Sequence, residues 1–109
     1  MTPLENWDAQ VLRAGLPTLV YFGADWCGYC RLLHPRLDEL AELHPEYAFL
    51  EVDADADREL VRKNRVHGLP TCLVFKLGRE SGRVVGAEPD DVYLSLLREP
   101  LARASDLPE

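Results

Sequence analysis

The stretch that decides the fold of this chain runs from Leu19 to Cys30 and reads LVYFGADWCGYC. Its first four residues form a continuous apolar run of strand-forming side chains, which predicts a buried β-strand. After a turn through Gly23–Asp25, Cys27 and Cys30 stand at the start of a segment with helical spacing. The sequence therefore places two thiols, one helical turn apart, where a buried strand gives way to a helix.

Strand and helix patterns alternate along the rest of the chain. A short opening helix is predicted over Asn6–Ala14, with Trp7, Val11 and Leu12 as its apolar contacts. The later patterns predict, in order, a helix from about Cys27 to Leu43, a strand over Tyr47–Val52, a helix over Arg58–Arg65, a strand over Leu69–Phe75, an antiparallel hairpin to Arg83–Val85, and a last helix from Asp90 or Asp91. This order predicts an α/β domain whose mixed sheet is covered by helices on both faces.

Length and charge narrow the classes of function. The chain has 109 residues, which fits one domain, with a core over about 6–99 and a tail over 100–109. The net charge of −7 argues against a nucleic-acid partner and against an anionic membrane surface. No segment reaches the roughly 18 apolar residues of a membrane span, and the N-terminus lacks the pattern of a secretory signal. We therefore predict a cytoplasmic protein.

The spacing of Cys27 and Cys30 suits chemistry on sulfur. The start of a helix offers free N–H groups and a partial positive charge, which stabilise a thiolate on Cys27. Three-residue spacing brings Cys30 to the same helix face. Cys27 can then attack a disulfide, and Cys30 can resolve the mixed disulfide while the two cysteines close an internal one. In a reducing compartment such a pair is catalytic or metal-binding more often than structural.

At these residues the chain resembles the thioredoxin family, from Trp7 to about Leu97. The matching motifs are Ala24–Cys30, Pro35, Val52-Asp53, Gly68-Leu69-Pro70-Thr71 and Val85-Gly86-Ala87. The resemblance implies a thioredoxin-like three-layer fold around a central mixed sheet of about four strands. The first strand of the family is expected to be short or absent, because only five residues precede Asn6.

The resemblance also implies a function and a site. It implies a monomeric thiol–disulfide oxidoreductase of electron transport and cell redox homeostasis, with disulfide-containing protein substrates. The cysteine pair would be the only cofactor, and a flavin-dependent enzyme similar to thioredoxin reductase would donate electrons. In the family, the proline matching Pro70 follows a cis peptide bond and lies opposite the cysteines. The substrate-docking surface would consist of Trp26, Gly28, Tyr29, Leu69, Pro70 and Gly86.

Tyr29 departs from the family pattern and leaves alternatives open. Thioredoxins have proline there, which lacks an N–H. Tyrosine restores an N–H near the Cys27 sulfur, which favours the thiolate and makes the disulfide more oxidising. The alternative to a reductase is therefore a disulfide isomerase or oxidase. A less favoured alternative is a zinc-binding module in which Cys72 and a histidine, His67 or His34, complete the four ligands.

Four further expectations concern the surroundings of the pair, the third cysteine and the acidic loop. Many thioredoxins bury an aspartate and a lysine near the second cysteine, but Tyr21 and Phe49 match those positions and leave Cys30 without an evident base. His34, one turn after Cys30, is the candidate for proton transfer, because an imidazole ordinarily titrates near about 6.5; the alternative is a half-exposed histidine on the helix flank. Cys72 is predicted to be a buried apolar residue rather than a third redox thiol. We predict no metal site at Asp53–Asp57.

Overall fold

The structure, a computed structural model, describes residues 1–100. Most of the predicted tail over 100–109 therefore lies outside the described residues. The strands are β1 (Thr2–Pro3), β2 (Thr18–Gly23), β3 (Ala48–Asp53), β4 (Thr71–Lys76) and β5 (Arg79–Val85). The helices are α1 (Gly28–Leu43), α2 (Arg58–Lys63) and α3 (Asp90–Arg98), preceded by a π-helical turn over Asp8–Leu12. Within residues 1–100, no helix has both the length and the apolar character needed to cross a lipid bilayer.

The strands form one mixed sheet in the order β1-β3-β2-β4-β5. β3 runs parallel to β1 and β2, whereas β4 runs antiparallel to β2 and β5. The mixed sheet confirms the prediction, and the first strand is short: β1 pairs with β3 in register through Thr2 and Pro3, and Leu4 donates one further N–H to Glu51 O. Phe22 faces Thr71 across β2 and β4, so the end of β2 and the start of β4 meet at the same end of the sheet.

Each face of the sheet carries its own apolar core, because side chains alternate between the two faces of a strand. One core contains Tyr21, Cys30, Leu33, Cys72 and Tyr93 and packs under α1 and α3. The other core contains Val11, Phe22, Val52, Val66 and Phe75, with Leu60 and Val61 of α2 packed against it. Helical segments therefore cover both faces, which confirms the three layers.

Two helix boundaries and one apolar contact differ from the sequence prediction. The opening segment is a π-helical turn over Asp8–Leu12 rather than a helix over Asn6–Ala14, since the Gln10 side chain accepts the N–H groups of Glu5 and Asn6. Leu12 is not a core contact, because it is 42% exposed. α2 ends at Lys63 instead of Arg65, since Arg65 adopts a left-handed backbone with φ of 54°.

Candidate active site

Cys27 occupies the N-cap of α1. Its backbone is extended, its N–H donates to Ala24 O at 3.2 Å, and its Sγ accepts the N–H of Cys30 at 3.3 Å. The first of the two sulfurs is therefore held where the free N–H groups and the positive end of the helix favour negative charge. This placement confirms the expectation that the pair begins a helix.

Cys30 lies deeper, in the first turn of α1. Burial raises the pKa of the Cys30 thiol, and its hydrogen bond with Cys27 raises it further. Hydrogen bonds with the Ala24 backbone and the Tyr21 side chain act in the opposite direction. The exposed fraction of Cys30 is only 2%, against 6% for Cys27. Burial therefore favours the protonated form of Cys30.

Two loops meet beside the cysteines at this end of the sheet. The Leu69–Pro70 peptide bond is cis, as the resemblance implied, and Leu69 packs against the core that holds both cysteines. Gly86 donates its N–H to Pro70 O at 2.8 Å, which ties the loop after β5 to the loop before β4. Gly86 has a φ of 90°, a conformation that favours glycine.

The aromatic residues of the cysteine motif face solvent. Trp26 and Tyr29 are each 66% exposed, on either side of Cys27 in the sequence, and Gly28 is exposed between them. Trp26 donates its indole N–H to Asp55 Oδ2 at 2.9 Å. Exposed rings beside a buried sulfur give a partner chain an apolar place to contact. The sequence analysis did not identify Asp55, which comes from the loop after β3.

The acidic loop Asp53–Asp57 is organised by its own backbone. Asp53 Oδ1 accepts the N–H groups of Asp55 at 2.9 Å and Ala56 at 3.4 Å, and Asp57 caps α2 by accepting the N–H of Leu60 at 3.2 Å. These contacts give each aspartate a protein partner, because Asp55 also binds Trp26.

A second polar group lies along α1, beside Cys30. His34 Nε2 shares a hydrogen bond with Glu51 Oε2 on β3, and His34 Nδ1 lies 3.3 Å from Asp38 Oδ2. The His34 ring packs edge-on against Tyr21, with the ring centroids 5.4 Å apart. His34 is half-buried, with 38% of its side chain exposed. The sequence analysis found His34 but missed Glu51, because only the sheet register brings that residue beside the helix.

Tyr21, which stands where many thioredoxins have a buried aspartate, also brings a polar hydroxyl group to the site. Burial raises the pKa of its hydroxyl well above the ordinary tyrosine value, and a hydrogen bond with Cys30 raises it further. Its register partner on β3 is Glu51, so both side chains lie on the sheet face that α1 covers. The sequence signal was the alternation along β2, which puts Tyr21 on the same face as Leu19 in the α1 core.

Neither Cys72 nor the group of possible metal ligands includes Cys27 or Cys30. Cys72 is 1% exposed within the α1 core, which confirms the prediction of a buried residue, and burial raises the pKa of its thiol. Among residues 1–100, the group with ligand atoms close enough to hold a metal is His34, Asp38 and Glu51, within 4.8 Å of one another. That group contains none of the cysteines.

The family comparison agrees with this geometry. The family model for thioredoxin matches residues 1–99. Similar proteins include a thioredoxin H-type from Oryza sativa subsp. indica, 36% identical over 104 residues, which are 93% of this chain and 85% of that protein. Thioredoxin-1 of Saccharomyces cerevisiae is 39% identical over 77% of this chain and 81% of its own. The mitochondrial thioredoxin-2 of Schizosaccharomyces pombe is 44% identical over 71% of this chain, which spans 58% of that protein.

The chain belongs to the thioredoxin family. Members of this family are protein-disulfide oxidoreductases whose electrons reside on a redox-active cysteine pair, with no additional cofactor. The chain is accordingly a thiol–disulfide oxidoreductase that acts on disulfide-containing proteins.

Proposed function

We propose that Cys27 is the attacking thiol and Cys30 the resolving thiol of this oxidoreductase. The Cys27 thiolate attacks one sulfur of a substrate disulfide, so that a Cys27–substrate disulfide forms and the other substrate sulfur leaves as a thiolate. Cys30 then loses its proton and attacks Cys27, which releases the second substrate thiolate and closes the Cys27–Cys30 disulfide. Two electrons pass from the protein dithiol to the substrate.

One observation carries this division of roles. Cys27 Sγ accepts a backbone N–H at the start of α1, whereas Cys30 is buried with a raised pKa. Because the thiolate is the nucleophile, the cysteine whose negative charge is stabilised attacks first. Cys30, which keeps its proton, reacts only after the mixed disulfide has formed and Cys27 Sγ has become an electrophile.

The docking surface consists of Trp26, Gly28, Tyr29, Leu69, Pro70 and Gly86. We propose that an extended segment of the substrate lies across it, beside the cis Leu69–Pro70 bond. The exposed rings of Trp26 and Tyr29 provide apolar contact, and the bond from Gly86 to Pro70 keeps the two loops together. A flavin-dependent enzyme similar to thioredoxin reductase is the proposed electron donor. The cytoplasmic location and the monomeric state remain predictions from the sequence.

The test compares two single-cysteine variants in an insulin-reduction assay with dithiothreitol as the electron source. Cys27→Ser should abolish turnover and form no adduct with the substrate. Cys30→Ser should also stop turnover but should accumulate a mixed disulfide, detected as a higher-mass band on a non-reducing gel. An adduct that accumulates in Cys27→Ser instead would reverse the assigned roles.

Cys72→Ala is the matched control for these variants, because it removes a third thiol that is buried away from solvent. It should leave the insulin-reduction rate within about twofold of the unmodified chain, as expected for an apolar substitution of similar volume. Loss of turnover in Cys72→Ala with the fold intact would add Cys72 to the reacting cysteines and contradict the two-cysteine scheme.

A further inference from the structure

This inference rests on the proposed function, in which Cys30 resolves the mixed disulfide. That step poses a chemical problem. The attacking species must be a thiolate, yet burial raises the pKa of Cys30 and favours its protonated form. The proton therefore has to leave a sulfur that is only 2% exposed. A positioned acceptor beside Cys30 would remove it faster than bulk solvent can.

An open cleft runs along one side of Cys30. We call it the lateral cleft and define it by the residues that line it: Tyr21, Cys30, Arg31, His34, Glu51 and Asp53. The exposed side chains of Trp26 and Tyr29 are not part of its lining. Cys30 thus borders an open cleft whose lining residues are separate from those of the proposed docking surface.

Tyr21 connects the thiol to this cleft. Its hydroxyl is close enough to Cys30 to influence the pKa of that thiol, and it lies over Gly23, where a β-carbon would stand 2.1 Å from the hydroxyl oxygen. Glycine at this position is therefore what lets the tyrosine ring lie along the strand. A hydroxyl can accept a proton from one neighbour while it donates its own to another, so Tyr21 can pass a proton without becoming charged.

Glu51 and His34 lie beside Tyr21 in the lateral cleft and form the candidate acceptor. Glu51 is the register partner of Tyr21 on the neighbouring strand, and its carboxylate shares a hydrogen bond with His34 Nε2. Because the two side chains share this hydrogen bond, a proton that reaches either of them can be held between both. Both side chains are partly exposed, 38% for His34 and 29% for Glu51, and can pass the proton on to solvent.

The charged groups around the Glu51–His34 pair come from α1, β3 and the N-terminus. On α1, Asp38 faces His34 Nδ1, and the α-ammonium of Met1 pairs with Asp38 and offsets its charge. β2 contributes the neutral Tyr21, and β3 contributes Glu51 and, farther along the cleft, Asp53. Arg31 donates to Asp25 O rather than to Glu51. Within residues 1–100, the ion-pair partner of the Glu51 carboxylate is therefore its own histidine.

We propose that the Glu51–His34 pair is the proton acceptor for Cys30, with the Tyr21 hydroxyl as the link. In the resolving step, the Cys30 proton passes to Tyr21 as the Tyr21 proton passes to the pair. The Cys30 thiolate attacks Cys27 Sγ, the bond from Cys27 to the substrate sulfur breaks, and the substrate leaves as a thiolate. The pair then releases its proton to the solvent of the lateral cleft.

The test separates the two chemical steps by rapid mixing of the reduced protein with a limiting amount of the aryl disulfide dithiobis(nitrobenzoate). Attack by Cys27 releases one coloured aryl thiolate, and resolution by Cys30 releases the second. The leaving aryl thiolate needs no proton, so the second phase reports the availability of the Cys30 thiolate. Glu51→Gln, His34→Gln and Tyr21→Phe remove the acceptor, its partner and the link while they preserve side-chain size.

We expect each variant to slow the second phase by about 100-fold or more at neutral pH, from the lower end of the range of general-base effects upward, with the first phase changed less than about twofold. The deficit should shrink as the pH rises towards about 10, because the thiol then ionises without help. Cys30→Ser, which removes the resolving thiol, should show the first phase alone.

A matched control pair lies at the other end of α1, where His44 Nδ1 is 3.1 Å from Glu46 Oε2. His44→Gln and Glu46→Gln should leave both phases unchanged. A second phase that is unaffected in Glu51→Gln, or slowed by the same factor at every pH, would overturn the proposal. Loss of the first phase in the unmodified chain would instead contradict the roles proposed for Cys27 and Cys30.

Discussion

Tyr29 contributes an exposed ring and one backbone N–H to the first turn of α1. The sequence predicted that this N–H would support negative charge on Cys27. In the structure, the hydrogen bond to Cys27 Sγ comes from Cys30 instead, a donor that a proline at position 29 would leave in place. Tyr29 therefore contributes to negative charge on Cys27 only as one more N–H group at the start of the helix.

Replacing this residue tests how much that N–H contributes to the redox equilibrium. Tyr29→Pro should make the reduction potential more negative by up to about 30 mV, which corresponds to about 1.4 kcal/mol. The measurement is equilibration of each variant with a series of glutathione buffers. Tyr29→Ala removes the ring and keeps the N–H, so its potential should remain that of the unmodified chain. Equal shifts in both variants would assign the effect to the ring.

The potential also distinguishes a reductase from an isomerase or oxidase. Values near about −270 mV are typical of thioredoxin and values near about −180 mV of disulfide isomerases. Because the structure shows no direct contact from the Tyr29 N–H to Cys27, we expect the unmodified chain to lie nearer the reductase value. A potential near the isomerase value would favour the alternative function.

At the scale of elements, one buried side chain of α3 connects that helix to the proposed docking surface. Tyr93 is fully buried, its hydroxyl accepts the N–H of Glu88 at 3.0 Å, and it donates to Gly86 O at 3.2 Å. The Gly86 N–H in turn reaches Pro70. The helix, the loop after β5 and the cis-proline loop are therefore connected by hydrogen bonds through Tyr93.

Tyr93→Phe should destabilise the fold by about 0.5–1.5 kcal/mol, because it removes the part-buried hydrogen bonds to the backbone groups of Gly86 and Glu88. Urea denaturation measures this loss. In the insulin assay, KM should rise more than kcat falls, since the docking surface loosens while the cysteines stay in place. Tyr47→Phe is the control, because the Tyr47 ring is only partly buried and stacks on His44. Equal losses in the two variants would contradict the role of Tyr93.

The elements themselves followed from local pattern, whereas their contacts did not. The apolar run of β2 and the periodicity of α1 predicted those segments nearly to their ends. The short α2 and the π-helical turn were placed with less accuracy, because side-chain hydrogen bonds and the left-handed Arg65 fix their ends. No local pattern links Glu51 to His34, which lies 17 residues away on another element.

At the scale of the whole molecule, several acids are buried in the α1 core. Burial raises the pKa of Cys30 and Cys72 and of the hydroxyls of Tyr21 and Tyr93. Each therefore keeps its proton in the folded chain at a pH where the unfolded chain has lost it. Stability from these groups is present below the unfolded pKa, near about 8.5 for cysteine and about 10 for tyrosine, and is lost as the pH rises further.

The alkaline loss of stability should depend measurably on Cys72. In the disulfide form, Cys72 is the remaining thiol, and above about pH 8.5 it should lower the free energy of unfolding by about 1.4 kcal/mol per pH unit. Cys72→Ala should remove this slope over the interval up to about pH 10, where tyrosine begins to contribute. Urea denaturation of both oxidised proteins at several pH values measures the difference. Parallel losses in the two proteins would show that Cys72 does not titrate in this range.

The sequence by itself determined the family, the strand and helix that carry the cysteine pair, and the burial of Cys72, because these depend on local periodicity and on short motifs. The tertiary structure alone decided what surrounds Cys30. Sheet register placed Glu51 beside Tyr21, and the packing of α1 brought His34 to both. Tyr21, which in the sequence indicated only the loss of a base, became a neighbour of the resolving thiol in one core, because contacts between a strand and a helix are fixed only when the tertiary structure forms.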